Sequence, residues 1–298
     1  MKLTLVGSIA YDSVKTPYGE VEQALGGSSF FASVAASYFC KPCVVGVVGE
    51  DYDKKNLELL NGMGIDTSGV DVLPGKTFHW KGVYNDLNRA ETLDTQLNVF
   101  ADFNPIVSKE FASNDYLFLG NIHPALQLNV LKQLECCKIT AMDTMNYWIS
   151  SAKDELLEVI KNIDIVFINE DEAKMLTERN NVYDASEDIL AMGPKLVLLK
   201  RGEYGAMAIM KDMLFFSPVY PVKKVIDPTG AGDSFAGGFM GYLAGAGEFT
   251  PKRIKEAVIY GTVMASLDVQ SFSADGMMNL TKEVIEERRK KVIDIISF

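Results

Sequence analysis

Asp227-Pro228-Thr229-Gly230-Ala231-Gly232-Asp233-Ser234-Phe235-Ala236-Gly237-Gly238-Phe239 is the stretch on which the reading of this chain turns. The apolar pair Val225-Ile226 precedes it, and a helical pattern through Met240, Tyr242 and Leu243 follows. Gly230, Ala231 and Gly232 therefore sit at a strand-to-helix junction. Backbone N–H groups converge on an anion at such a junction, and the positive end of the helix dipole adds to the attraction. Asp233 lies just inside this anion hole. A carboxylate in that place suits removal of a proton from a hydroxyl that then attacks a phosphate. The stretch points to phosphoryl transfer with Asp233 as the base.

Two competing phosphate-binding patterns fail on spacing. Pro74-Gly75-Lys76-Thr77 ends like a P-loop, but Val70 stands where its first glycine belongs and Phe78-His79-Trp80 does not start a helix. The Gly230/Gly232 pair lacks the third glycine of a dinucleotide fingerprint, because Phe235 occupies that position.

With 298 residues, 48% of them hydrophobic, the chain has material for a large core. A net charge of −11 speaks against a nucleic-acid partner. The one basic run, Arg288-Arg289-Lys290-Lys291, lies among acidic neighbours in a helical pattern and reads as a solvated face. No apolar run reaches membrane length and no signal-cleavage pattern appears, so the expectation is a soluble cytoplasmic protein without a membrane partner. Cys40 and Cys43 end a helical stretch instead of opening one, the wrong polarity for a stabilised thiolate. Adjacent Cys136-Cys137 is poor zinc spacing, so all four cysteines read as small buried hydrophobes. The two histidines, His79 and His123, are too far apart in sequence to support a His-based metal site or a triad. His123 either approaches a substrate or makes a structural hydrogen bond.

Strand-like runs fall at 2–7, 44–49, 116–120, 139–142, 165–168, 196–199 and 206–210. Helical patterns lie between many of them, at 28–39, 54–63, 125–134, 152–161, 170–176 and 185–191. Helices at 231–243, 251–267 and 281–296 follow. This alternation predicts an α/β fold with a mostly parallel central sheet flanked by helices on both faces. Residues 13–25 are polar and turn-rich, and residues 76–106 read as short strands (77–84, then 97–100) without helical period. Together they predict a small β lid on a single domain spanning 1–298.

Several polar clusters fall at strand ends, where open α/β sheets place ligands. Gly26-Gly27-Ser28 opens a helix of small residues; it serves either close packing and an N-cap or the backbone approach of a hydroxylated ligand. Asp12, shortly after the first strand, is a ligand-hydroxyl acid or a loop residue. Asn169-Glu170-Asp171-Glu172 is an N-cap with acids in the first turn, or holds hydrated Mg²⁺ through Asn169 and Glu172. Lys200-Arg201-Gly202-Glu203-Tyr204-Gly205 is a hairpin turn or a nucleotide loop.

In this order the motifs resemble the ribokinase-like, or PfkB, family of carbohydrate and nucleoside kinases, over nearly the whole chain. Gly7 and Asp12 match its first-strand signature, Gly26-Gly27 its early di-glycine, and Gly46-Val47-Val48-Gly49-Glu50-Asp51 its G-x-V-G-x-D segment. Asn169-x-x-Glu172 matches its N-x-x-E motif, Gly202-x-x-Gly205 its nucleotide-side loop, and 227–233 its highly specific D-x-x-G-A-G-D signature. The resemblance implies ATP- and Mg²⁺-dependent transfer to a primary hydroxyl, with Asp233 as base and the amides of Gly230, Ala231 and Gly232 around the transferred group. It places Thr229 and Lys200 near the nucleotide phosphates, Gly261 and Met264 toward the adenine, Glu172 on Mg²⁺ through water, and Asp227 on a monovalent cation, K⁺ in some relatives. Lid-to-lid homodimers occur among such relatives, and an exposed β lid offers an edge for one.

Phe31 stands where sugar kinases of this kind often carry Asn, and Lys54 where the G-x-V-G-x-D segment usually continues to glycine. Phe31 is thus expected in the acceptor pocket. Asp12, Asn121 and Asn146 are the candidate hydroxyl partners, which favours a sugar or sugar derivative. The alternative is a nucleoside, which wants aromatic stacking; the lid residues Phe78, His79, Trp80, Thr95 and Gln96, with Phe31, are expected to help decide between the two. A further alternative is a non-catalytic ligand-binding or regulatory protein of the same fold. The helix N-terminus is expected to lower the Asp233 pKa.

Overall fold

The computed structural model describes residues 2–297. In chain order the elements are β1 (Leu3–Val6), β2 (Ala10–Thr16), β3 (Gly19–Gly26), α1 (Ser28–Ser37), β4 (Pro42–Gly49), α2 (Lys54–Gly62), β5 (Asp66–Leu73), β6 (Phe78–Asp86), β7 (Arg89–Gln96), α3 (Lys109–Ala112), β8 (Tyr116–Leu119) and α4 (Pro124–Leu131). There follow β9 (Ile139–Asp143), α5 (Asn146–Ser151), α6 (Lys153–Lys161), β10 (Ile165–Asn169), α7 (Glu170–Thr177), α8 (Val182–Ala191), β11 (Leu196–Lys200), β12 (Ala206–Met210), β13 (Met213–Ser217), α9 (Ala231–Ala246), α10 (Pro251–Asp268) and α11 (Lys282–Ile296).

The continuous apolar runs became buried strands, as expected when both sheet faces are covered. They form a nine-stranded sheet ordered β13-β12-β11-β10-β9-β8-β1-β4-β5. Pairing is parallel from β5 through β11 and antiparallel at β12 and β13. One face packs against α1, α9, α10 and α11 around Phe118, Phe167 and Phe239, the other against α4 and α6 to α8 around Leu119, Val166 and Ile168. The ends of β8 to β11 open onto one edge, where the strand-end motifs collect.

The lid is a four-stranded sheet ordered β3-β2-β6-β7. The strand expected at 97–100 is instead part of a 3-10 turn, Asn98–Asp102. Asn98 takes a left-handed φ of 49° and its amide donates to the Thr77 carbonyl at 2.9 Å, closing the lid base. The second strand of the hairpin is β7, all of whose residues are exposed, so no apolar pattern marked it. The edge strands β5 and β13 also escaped the sequence reading, because they are largely exposed or alternate in burial. Asp51 of the G-x-V-G-x-D segment anchors the lid entry: its carboxylate accepts from the N–H and Oγ1 of Thr77, both at 2.7 Å.

Close packing of α1 on α9 aligns the two glycine-led helix starts. A Cβ on Gly237 would stand 2.2 Å from the Ala32 carbonyl oxygen, and one on Gly241 would stand 2.7 Å from Ala36 Cα. Only glycine permits this approach of the backbones.

Candidate active site

Asp12 enters the site from β2. Its side chain is 6% exposed and lies against Gly26, where a Cβ would come within 1.9 Å of Oδ2. The early di-glycine is therefore a seat for this carboxylate, and Gly27, with φ of 98°, makes the turn that follows it. Burial first, then Asp227 and Asp233, push the Asp12 pKa up to about 7. In the parallel β2–β6 ladder, Asp12 is registered with Trp80 and Val14 with Gly82. Residues in register share a sheet face, so the Trp80 indole lies on the same face as Asp12. That indole folds over Gly82, where a Cβ would meet its ring at 2.2 Å, and its Nε1 donates to Thr92 Oγ1 at 3.2 Å.

Gly230, in the left-handed region at φ 82°, caps α9 with no side-chain bond to the first-turn N–H groups. Ala231 N–H already donates to the Pro228 carbonyl at 3.2 Å. It is thus the one predicted anion-hole amide with a partner inside the loop. Phe31 needs correction as an acceptor-pocket residue. It is 2% exposed, and a Cβ on Gly230 would strike its ring at 2.4 Å, so it props the anion loop from the core side.

Asp233 sits in the first turn of α9. The expected fall in its pKa is reversed: burial raises it to about 7, with Asp143 adding to the rise and Lys200 opposing it. Burial outweighs the helix terminus here, and the group is a stronger base for it.

Lys200, at the end of β11, makes an ion pair with Asp143 at the end of β9, at 2.6 and 2.8 Å. Burial disfavours the Lys200 charge, but Asp143, Glu172 and Asp233 outweigh it and its pKa is raised. Asp143 was missed by the sequence reading; an acid closing an apolar strand was the available signal. Asn169 and Glu172 form a capping box on α7, with bonds of 2.8 and 2.9 Å. Glu172 also faces the Lys200 pair, and burial raises its pKa to about 7.

Asp227 is 1% exposed; one oxygen accepts from Thr229 N–H at 2.9 Å and the other has no partner. Asp268, at the end of α10, is fully buried with neither oxygen partnered, and burial holds its pKa well above the usual carboxylate range. It too was missed. An acid beside Leu267 and Met264 on an apolar helix face was the only hint.

Other predicted residues lie outside this cluster. Asn121 is occupied: its amide oxygen accepts from Trp148 Nε1 at 2.8 Å and its nitrogen faces Met145 Sδ at 3.1 Å. Asn146 is exposed at the start of α5. Gly261 packs α10 onto α9, where a Cβ would stand 2.7 Å from the Phe235 carbonyl oxygen, and Met264 is fully buried. Neither offers a surface to adenine. Gly202 and Gly205, at φ 53° and 90°, bound the loop after β11. His123 accepts from Ala125 N–H as the N-cap of α4, a structural role. Burial raises the Cys40 and Cys137 thiols to about 12 and Cys43 to about 11, in keeping with unreactive hydrophobes, whereas Cys136 is exposed, against the expectation for it. Among the described residues, no helix is long and apolar enough to cross a membrane.

The family model described as "pfkB family carbohydrate kinase" matches residues 2–281. A cytidine kinase of Thermococcus kodakarensis is 33% identical over 254 residues, covering 82% of this chain and 90% of the relative. A fructoselysine 6-kinase of Escherichia coli is 28% identical over 270 residues, covering 86% and 94%. The crystal structure of the Methanocaldococcus jannaschii nucleoside kinase superposes with a TM-score of 0.78 at 22% identity, covering 97% and 98%.

Proposed function

This chain belongs to the pfkB family of carbohydrate kinases, and we propose that within it the acceptor is a nucleoside, phosphorylated by ATP on a primary hydroxyl. The observation that carries the nucleoside reading is the placement of Asp12 beside Trp80 on one face of the lid. The acid suits ribose hydroxyls, and the indole offers a planar surface for a base. The cytidine kinase, a relative over 90% of its length, supports the same reading. Asn121 and Asn146, the other partners expected for a bare sugar, are respectively engaged elsewhere and exposed.

In this reading the acceptor hydroxyl lies between Asp12 and Asp233. Asp233 accepts its proton as the oxygen attacks the terminal phosphate, while the bond from that phosphorus to the bridging oxygen breaks and ADP leaves. The first-turn amides of α9 meet the charge on the transferred group. Lys200, held by Asp143, faces the nucleotide phosphates. Most of the acceleration comes from positioning and electrostatics, as phosphoryl transfer requires.

The donor set fits a Mg²⁺ ion carried by the nucleotide. Both Asp143 oxygens serve Lys200, whereas Glu172 keeps one oxygen free of protein bonds. Among the described residues no three ligating side chains cluster, so no protein cage exists for it. Glu172 would hold the hydrated ion through water. When bound, such an ion neutralises phosphate charge. The unpartnered buried oxygen of Asp227 fits a monovalent cation. We also propose that residues 1–298 work as a single domain with its lid, and that an exposed lid edge supports a homodimer; sedimentation would read the latter.

The test is ATP-dependent phosphorylation of a panel of nucleosides, pentoses, hexoses and sugar phosphates, with Trp80→Leu beside the wild type. A nucleoside should give the highest kcat/KM, and Trp80→Leu should raise its KM by about tenfold, one aromatic stacking contact. A free sugar preferred over every nucleoside overturns the assignment.

A further inference from the structure

β2 supports β6 only from the Ala10–Phe78 pair to the Lys15–Val83 pair. Beyond Val83, among the described residues, no strand pairs with β6 on that side. The ladder slips between Val83 and Asp86, leaving an extra residue in β6 at Tyr84-Asn85. Such a bulge bends a strand and re-aims a side chain. Around it Asn85, Asp86, Asn88, Arg89 and Ala90 are all exposed, yet Tyr84 is only 9% exposed. Its burial is against the anion loop: Thr229 Oγ1 donates to the Tyr84 hydroxyl at 3.3 Å. The hairpin tip also reaches the nucleotide-side loop. A Cβ on Gly202 would stand 3.2 Å from Asn88 Oδ1.

A projecting hairpin with exposed polar sides has little to hold it down. Its one buried side chain bonds to the loop that receives the phosphoryl group. We propose that Tyr84 is a positioning residue that clasps the lid hairpin onto the anion loop, so that the acceptor pocket closes only against a correctly formed 227–233 loop. The consequence rests on the kinase reading: acceptor capture and phosphoryl binding share one latch, and water is kept from the transferable phosphate while it is shut. The Gly202–Asn88 approach extends the closure to the nucleotide side.

Two measurements on the full chain test this. Hydrogen exchange on the ligand-free protein reads the clasp without any substrate. Tyr84→Phe should speed exchange across residues 83–92 several-fold, leaving the nine-stranded sheet unchanged, and Tyr84→Ala should do more. In steady state, Tyr84→Phe should raise both acceptor KM and acceptor-independent ATP hydrolysis by about three- to tenfold, the loss of one hydrogen bond, with a smaller change in kcat. In a Thr229→Val background the same substitution should add almost nothing. Unchanged hairpin exchange in both Tyr84 variants overturns the clasp. Faster exchange with unaltered KM and hydrolysis overturns its positioning role. Failure of the wild type to phosphorylate any acceptor counts against the kinase reading alone, because the exchange measurement does not depend on it.

Discussion

Replacing Gly26 with alanine adds one methyl group where the Asp12 carboxylate now rests. The new Cβ would lie 1.9 Å from Oδ2 and 2.3 Å from Cγ. Non-bonded carbon and oxygen atoms do not approach so closely, so the carboxylate must swing away by more than 1 Å. Gly26 has no left-handed φ, so the backbone itself tolerates alanine. What is lost is the seat of Asp12 against Gly26. A hydrogen bond to a charged group is worth about 1.5–3 kcal/mol. Loss of one such bond to the acceptor lowers acceptor kcat/KM by about 10- to 150-fold. ATP affinity, which the proposed mechanism assigns to the end of β11, should stay within about twofold. The assay is steady-state kinetics with the acceptor varied at saturating ATP, on Gly26→Ala, Asp12→Ala and the double variant. If Gly26 serves only to seat Asp12, the double variant is no worse than Asp12→Ala. Near-normal kcat/KM for Gly26→Ala, or full additivity in the double variant, would refute this reasoning.

Asp233→Asn should lower kcat by about 10²- to 10⁴-fold, the range for a general base, while ATP binding measured by calorimetry changes only a few-fold. For the free enzyme, kcat/KM should rise with pH through about 7, because Asp233, raised to about 7, must be ionised to act. Stability runs the opposite way. Asp12, Glu172 and Asp233 bind protons more tightly folded than unfolded, so their contribution is present below about pH 4 and fades as pH climbs to about 7. The ligand-free protein should therefore melt higher at pH 5.5 than at pH 8, and a flat profile would show that these acids are not desolvated. Gly237→Ala forces a methyl group to 2.2 Å from the Ala32 carbonyl oxygen and should cost about 1–3 kcal/mol in urea denaturation.

What the sequence made legible was local in character. The 227–239 stretch declared a glycine-led helix start with an acid in its first turn because those features are set by neighbours in the chain. The alternating strands and helices declared the sheet for the same reason. Asp143 stayed hidden because its partner, Lys200, is 57 residues away and meets it only across β10. Phe31 was misplaced because its identity does not say which side of α1 faces the anion loop. The sign of the Asp233 shift was misjudged because a helix terminus is visible in a few residues, whereas desolvation sums over everything folded around the group. β7 was unreadable for a different reason: a strand with both faces in solvent has no periodicity to leave.

The contact of α1 with α9 through Gly237 and Gly241 has a consequence for how this enzyme can change. It behaves as a rigid ruler. The two helix starts, one beside the seat of Asp12 and one carrying Asp233, are held at a spacing set by touching main chains, and side-chain substitution has almost no purchase on it. Accepting a new alcohol by sliding one helix would disturb the reaction distance itself. The freedom lies instead at the exposed positions of the hairpin, Asn85, Asp86, Arg89 and Ala90, which can change without disturbing the Tyr84 contact. Divergence in substrate choice should therefore be written in the lid, with the ruler left alone.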